Sequence, residues 1–113
     1  MGTMSGEDKS LKRLREICLR IPGVTETSSW GHANWRVGKK LFAAFEETRS
    51  GNVVSFFAGL ERQDELLENA RFFLPRYTDH HGWLCLKVDR KTDWAEVRSL
   101  VLQSHSLVTS KET

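Results

Sequence analysis

Residues 35–57, Trp35-Arg36-Val37-Gly38-Lys39-Lys40-Leu41-Phe42-Ala43-Ala44-Phe45-Glu46-Glu47-Thr48-Arg49-Ser50-Gly51-Asn52-Val53-Val54-Ser55-Phe56-Phe57, carry the pattern that decides the fold. Trp35 and Val37 alternate with Arg36 up to a Gly38-Lys39 turn, and an apolar run from Leu41 to Phe45 follows. Glu46 to Asn52 holds the turn signal Ser50-Gly51-Asn52, after which Val53 to Phe57 is apolar again. Short apolar runs rich in aromatic and β-branched residues, separated by Gly- and Asn-containing turns, read as antiparallel strands joined by hairpins. Three strands and two hairpins are expected here, with the residues before them, up to Ala33, irregular.

Outward from this block the period becomes helical. On the N-terminal side Leu11, Leu14, Ile17, Cys18 and Ile21 recur on one helix face, opened by a loose Ser5/Asp8 capping box and stopped by Pro22-Gly23. The outer face carries Lys9, Lys12, Arg13, Arg15 and Arg20, interleaved with Glu7, Asp8 and Glu16, and reads as a solvated face. On the C-terminal side Leu66, Leu67 and Ala70 face inward against Glu61, Asp64, Glu65 and Glu68, giving a second, acidic helix. Phe72 to Tyr77 contains Pro75, which donates no ladder hydrogen bond, so only a short or edge strand fits. Trp83 to Val88 is a stronger strand. Asp93 and Glu96 then cap a last helix with the stripe Trp94, Val97, Val101, Ser104 and Val108. The expected order is α-β-β-β-α-β-β-α, with helices at 7–20, 61–70 and 93–108 on one face of a five-stranded antiparallel sheet. Leu14, Ile17, Cys18, Phe42, Phe56, Leu84, Leu86, Val97 and Val101 are the expected core, and Trp35 and Trp94 are assigned to it as well.

The chain has 113 residues, 39% of them hydrophobic. That is enough for one domain burying about two-thirds of its extended surface. It leaves no room for a second domain: residues 7–109 are expected to form the single domain, with 1–6 a flexible N-terminus and 110–113 a tail. Seventeen Lys and Arg against fifteen Asp and Glu give a net charge of +2. This is too little for a protein that coats nucleic acid by charge alone. No segment has the apolar length of a signal core or a membrane span. Cys18 and Cys85, each in an apolar neighbourhood, match no C-x-x-C spacing and read as reduced, space-filling thiols, so a cytoplasmic location without membrane attachment is expected.

Catalytic chemistry finds little support. His80 and His81 are adjacent, and His32 and His105 lie far from them in sequence, so no metal-ligand spacing arises. Ser28, Ser29, His32, Asp79 and His80 supply residue types for a triad, yet no nucleophile elbow frames them. Neither G-x-G-x-x-G nor G-x-x-x-x-G-K occurs. No catalytic residue, metal or cofactor is assigned, and a non-enzymatic role is expected.

A set of ordered pieces is more informative. Pro22-Gly23-Val24-Thr25-Glu26 precedes Ser29-Trp30-Gly31-His32-Ala33-Asn34-Trp35-Arg36-Val37-Gly38-Lys39-Lys40-Leu41-Phe42-Ala43. Tyr77, His81-Gly82-Trp83, Asp93-Trp94 and Ser104-His105-Ser106-Leu107-Val108 follow. Together, across residues 11–108, they resemble the MmcQ/YjbR family of small bacterial proteins. The chain departs from the family pattern in three places: Ala33 stands where a Pro is usual, His105 where a Tyr is usual, and Arg76-Tyr77-Thr78-Asp79 where Pro-Tyr-Val-Gly is common. The resemblance implies an α+β fold, a two-layer α/β sandwich with an antiparallel sheet of the secretion-chaperone-like kind. It also implies double-stranded DNA as a partner, held by a double wing of β-hairpins. The matching positions are Arg36, Lys39 and Lys40 on the first hairpin and Arg49 on the second, where cations touch phosphates and position the protein without reading sequence.

Two other readings stand beside it. Trp30, His32, Trp35, Tyr77 and Trp83 supply aromatic bodies with polar handles, the chemistry of a small-ligand or peptide pocket. In that stretch Gly31 is expected to take a backbone conformation closed to other residues, and His32 to be either structural or a pocket group. A protein-interaction role through an open sheet edge, as a monomer or weak homodimer, is the other.

Overall fold

The structure, a computed structural model, describes residues 5–29, 32–75 and 81–110. Trp30, Gly31 and Tyr77 lie outside the described residues, as do the side chains of the Ser5/Asp8 cap. In chain order the elements are α1 (Ser5–Leu19), β1 (Val24–Ser29), β2 (His32–Val37), β3 (Lys40–Thr48), β4 (Gly51–Phe57), α2 (Leu60–Leu67), β5 (Phe72–Phe73), β6 (Trp83–Val88) and α3 (Trp94–Ser110). All strand pairings are antiparallel, in the order β1-β2-β3-β4-β6-β5. The α+β class and the antiparallel sheet are as expected, while the sheet has six strands where five were expected.

The additional strand is β1, Val-Thr-Glu-Thr-Ser-Ser, which the sequence reading left irregular. Its inward side carries Glu26, directly across from Trp35, so apolar alternation is missing from it. What replaces the apolar residue is a network. The Arg15 guanidinium on α1 donates to both Glu26 carboxylate oxygens, with Nε–Oε1 and Nη2–Oε2 at 2.9 Å, and the Trp35 indole N–H donates to Oε1 at 3.0 Å. The arginine holds the Glu26 carboxyl below the usual carboxylate range against the opposing pull of burial, with a further hydrogen bond from Trp35. An inward-pointing charge on an edge strand also discourages edge-to-edge pairing.

The core lies between the sheet and its helices. Trp35, Phe42, Ala43, Phe45, Val54 and Phe56 meet Leu84, Leu86 and Val88 from β6, Leu14 and Cys18 from α1, and Val97, Leu100 and Val101 from α3. Leu66 and Leu67 of α2 pack against the same cluster at its β5–β6 end. Two of the residues assigned to the core differ: Ile17 and Trp94 are only half-buried, because they line a groove between α1 and α3.

One irregularity organises the centre. Trp35 is across from Ala43 and Arg36 from Leu41, so Phe42 is the extra residue of a β-bulge. Past Ala43–Phe56 the β3–β4 ladder stops, leaving the Phe42 carbonyl and the Phe57 N–H without each other. The fully buried Ser104 hydroxyl of α3 takes the place of that rung: it donates to the Phe42 oxygen at 2.6 Å and accepts from the Phe57 N–H at 2.9 Å. The helix is thereby pinned to two strands through one side chain. At this same end of β4, just before β6, Gly82 has a φ of +86°, and a Cβ built there would come within 2.6 Å of the Phe57 ring. Its carbonyl accepts from the N–H groups of Ala58 and Gly59, so this turn needs a glycine for space as well as backbone freedom.

Candidate functional site

Because side chains alternate along a strand, the residues between the core positions define a second face, and among the described residues no helix covers it. Its middle row follows from the pairings: Thr27, Asn34, Ala44, Ser55, Cys85 and Phe73 stand side by side across all six strands. Most of these side chains are small, so the row is a shallow channel running across the strands. Arg36, Leu41 and Trp83 form one bank, together with Phe57, which is also packed against the core cluster. Glu46, Val53 and Lys87 form the other, with the His32 imidazole 3.9 Å from the Glu46 carboxylate. Strand spacing of about 4.8 Å places Arg36 on β2 about 14 Å from Trp83 on β6, and the two banks about 14 Å apart.

The channel is better shielded than an open face suggests: Asn34 and Cys85 on its floor and Val53 on its bank are buried although they lie outside the helix-packed core. Burial raises the Cys85 thiol pKa, the contact with the Ser55 hydroxyl at 3.4 Å lowers it, and the Glu46 charge raises it again, the net being upward. Cys18 is pushed up in the same direction by burial and by Glu26. Both are free and protonated at neutral pH, hence poor nucleophiles. No group of His, Cys, Asp and Glu suited to a metal ion occurs among the described residues.

The aromatic corner is made by Trp83 and Phe57, edge to face at 6.0 Å, with Phe73 of β5 beside them. Such a corner offers ring faces and edges to a flat apolar group, while Arg36 and Lys87 offer cations for an anionic one. An extended molecule with both, laid along the channel, meets each in turn.

Of the residues singled out in the sequence, this face collects Arg36, His32 and Trp83. Trp35 stands on the opposite face, fully buried in the core. Trp30 and Tyr77 are outside the described residues. Three of the hairpin cations, Arg36, Lys39 and Lys40, share the β2–β3 turn, and Arg49 does not join them. Arg36 donates to the Lys39 carbonyl at 3.3 Å. Lys40 reaches the Val108 carbonyl in the last turns of α3 at 3.4 Å, and Lys39 is exposed at the turn. Arg49 sits in the β3–β4 turn at the far end of β3, which at about 3.4 Å per residue is about 30 Å from Lys39 and Lys40.

The sequence reading missed Asn34, Ser55, Phe57, Phe73 and Lys87. A signal for part of them was present: in Trp83-Leu84-Cys85-Leu86-Lys87-Val88 the alternation puts Trp83, Cys85 and Lys87 together and away from the leucines. The pairing that aligns them with β4 and β2 is not written in that strand.

Comparison with known proteins agrees with this architecture. The model of a family described as YjbR matches residues 19–107. No curated protein matches the sequence. Among solved structures, the crystal structure of Deinococcus radiodurans protein DR2400, a DUF419 domain, superposes with a TM-score of 0.79 at 21% identity, covering 91% of this chain and 80% of that one. At that identity the likeness concerns the fold. No helix among the described residues is long and apolar enough to cross a membrane.

Proposed function

The chain belongs to the YjbR family, and from that premise we propose that it is a non-enzymatic nucleic-acid-binding module that holds a single-stranded stretch of DNA on the helix-free sheet face. The observation that carries this reading is the alignment, on one surface, of an aromatic corner with Arg36 and Lys87 across a channel of small side chains. Antiparallel sheets that leave one face open bind unpaired bases in this manner: rings stack on the bases and cations follow the backbone. A duplex hides its base faces, so the aromatic corner adds nothing for it. The separation of Arg49 from Lys39 and Lys40 likewise supports the sheet face over paired hairpin tips. Reduced Cys18 and Cys85 fit a cytoplasmic setting, where such strands occur.

The test is fluorescence anisotropy of a short single-stranded oligonucleotide and its duplex. The single strand should bind more tightly, with a salt slope of about −1.4 for two phosphate contacts. Trp83→Ala should weaken binding at least about fivefold, the lower end of one stacked base. Arg36→Glu should weaken it further, whereas Lys39→Glu and Arg49→Glu should change it by less than about twofold. A preference for duplex that is lost with Lys39 and Arg49 returns the function to the hairpins. Absence of any association at low salt rejects nucleic acid altogether. Because the floor is sheltered and polar at Asn34 and Ser55, the second reading is a compact ligand in the same channel, visible as a thermal shift that disappears in Ser55→Val.

A further inference from the structure

On the opposite side of the molecule, α1 and α3 leave a groove of about 560 Å³. Its floor is apolar, built from Ile17, Ile21, Trp94 and Leu102, and Leu102 is 40% exposed. Arg13, Arg20 and Arg98 stand along it against the single carboxylate of Glu16. Arg13 lies 5.7 Å from the centre of the Trp94 ring, a cation–π contact that holds the guanidinium over the floor. None of the three guanidinium groups has a carboxylate partner among the described residues. Arg13 on α1 and Arg20 in the turn just past its end are seven residues apart, the equivalent of two helical turns or about 10.5 Å.

The complementary surface is on the same chain. α2 exposes Glu61, Asp64 and Glu65, and Glu68 follows at its C-cap, also exposed; of these Glu65 is engaged by Arg62 at 3.4 Å. Leu60 at its start is 64% exposed, the most exposed of the large apolar side chains. Glu61 and Glu68 are also seven residues apart, so the two acids match the two arginines in spacing. A helix with an acidic stripe and an apolar end is the partner that a basic-banked groove between two helices accommodates.

We propose that α2 of a second copy of this chain docks in the α1–α3 groove, with Glu61 and Glu68 against Arg13 and Arg20 and Leu60 on the floor beside Trp94 and Leu102. Groove and helix are different surfaces, so the contact is heterologous. It closes into a pair or ring where the rotation between copies allows and otherwise grows head to tail. This association is independent of the sheet face, which it leaves open.

Sedimentation equilibrium of the full chain over a concentration series, at about 0.1 M and about 1 M salt, tests it, because the screening length falls from about 10 Å to about 3 Å. The mass should rise with concentration at low salt and return to that of one chain at high salt. Arg13→Glu with Arg20→Glu, and separately Glu61→Lys with Glu68→Lys, should each raise the dissociation constant roughly tenfold. The circular dichroism melts should stay unchanged, since all four side chains are exposed. Mixing the two charge-reversed variants should restore association, as each then offers the other a complementary groove and helix. A single-chain mass at both salts overturns the proposal, and so does association that survives both reversals. Loss of oligonucleotide binding in the arginine variant with no effect on mass also overturns it, making the groove a polyanion site.

Discussion

The two faces of the sheet are built from the same strands, one residue out of phase, and obey different rules. The helix-packed face holds Trp35, Phe42, Phe56 and Leu84 with essentially no exposure, and the carboxylate of Glu26 and the hydroxyl of Ser104 are hydrogen-bonded there. The other face carries small polar side chains in the middle and half-exposed aromatics and cations on its banks. Burial makes the first face responsible for stability, since packing losses there are not relieved by water. On the second face the half-exposed aromatics and cations of the banks have less to lose on truncation, and their chemistry is free for a partner. Substitutions that change stability on one face and binding on the other keep the two roles apart; a substitution that does both breaks the distinction.

The largest effect expected is at Trp35. Trp35→Ala should destabilise the domain by about 3–5 kcal/mol in urea unfolding, through the cavity and the loss of the Glu26 hydrogen bond. Trp83→Ala, the same change on the other face, should lower stability by about 1 kcal/mol or less. Equal losses at the two positions would mean that the open face is structural.

Next is Ser104. In Ser104→Ala the Phe42 carbonyl and the Phe57 N–H lose their common partner inside the core, and about 2–3 kcal/mol should go with them. Hydrogen exchange at the Phe57 amide should accelerate. An unaltered exchange rate would show that β3 and β4 close the rung without the helix.

The smallest effect concerns pH. The carboxyl of Glu26 has its folded-state pKa depressed, chiefly by the Arg15 hydrogen bonds. The stabilisation is therefore complete above the ordinary glutamate range and is lost as pH falls through the lower folded-state value. With the Glu26 side chain 24% exposed and Arg15 43% exposed, solvent screening limits the pair to about 1 kcal/mol. Glu26→Gln should flatten the acid limb of the stability profile by that amount and leave it unchanged near neutral pH beyond a constant offset. An identical acid limb in wild type and variant would remove Glu26 from the account.

Particular elements show how far the chain could be read without its structure. α3 was legible from its cap and most of its stripe: Asp93 caps it, accepting from the Ala95 and Glu96 N–H groups, and Val97, Val101, Ser104 and Val108 are buried as expected. The β3–β4 hairpin and β6 were legible for the same reason, because apolar residues recur at the period of the element. β1 was not, since its inward position is a glutamate whose burial depends on an arginine from α1 eleven residues earlier and a tryptophan from β2 nine residues later. Trp94 was misjudged because a tryptophan in a helical stripe packs against the core only if the neighbouring helix comes close, and here α1 leaves room for Arg13 instead.

Residue order alone determined the α+β class, the antiparallel sheet and most of the core, because each follows from hydrophobic periodicity within one segment. It also carried the pieces that identify the family. Tertiary structure decided what depends on which strand lies beside which: the sixth strand at the sheet edge, the bulge at Phe42 bridged by Ser104, and the distance between the hairpin tips. It decided the two surfaces as well. The channel from Thr27 to Phe73 draws one side chain from each of six strands, and the arginine groove draws on two helices at opposite ends of the sequence. Local periodicity says whether a side chain points in or out, but register and packing between distant segments say what it meets there.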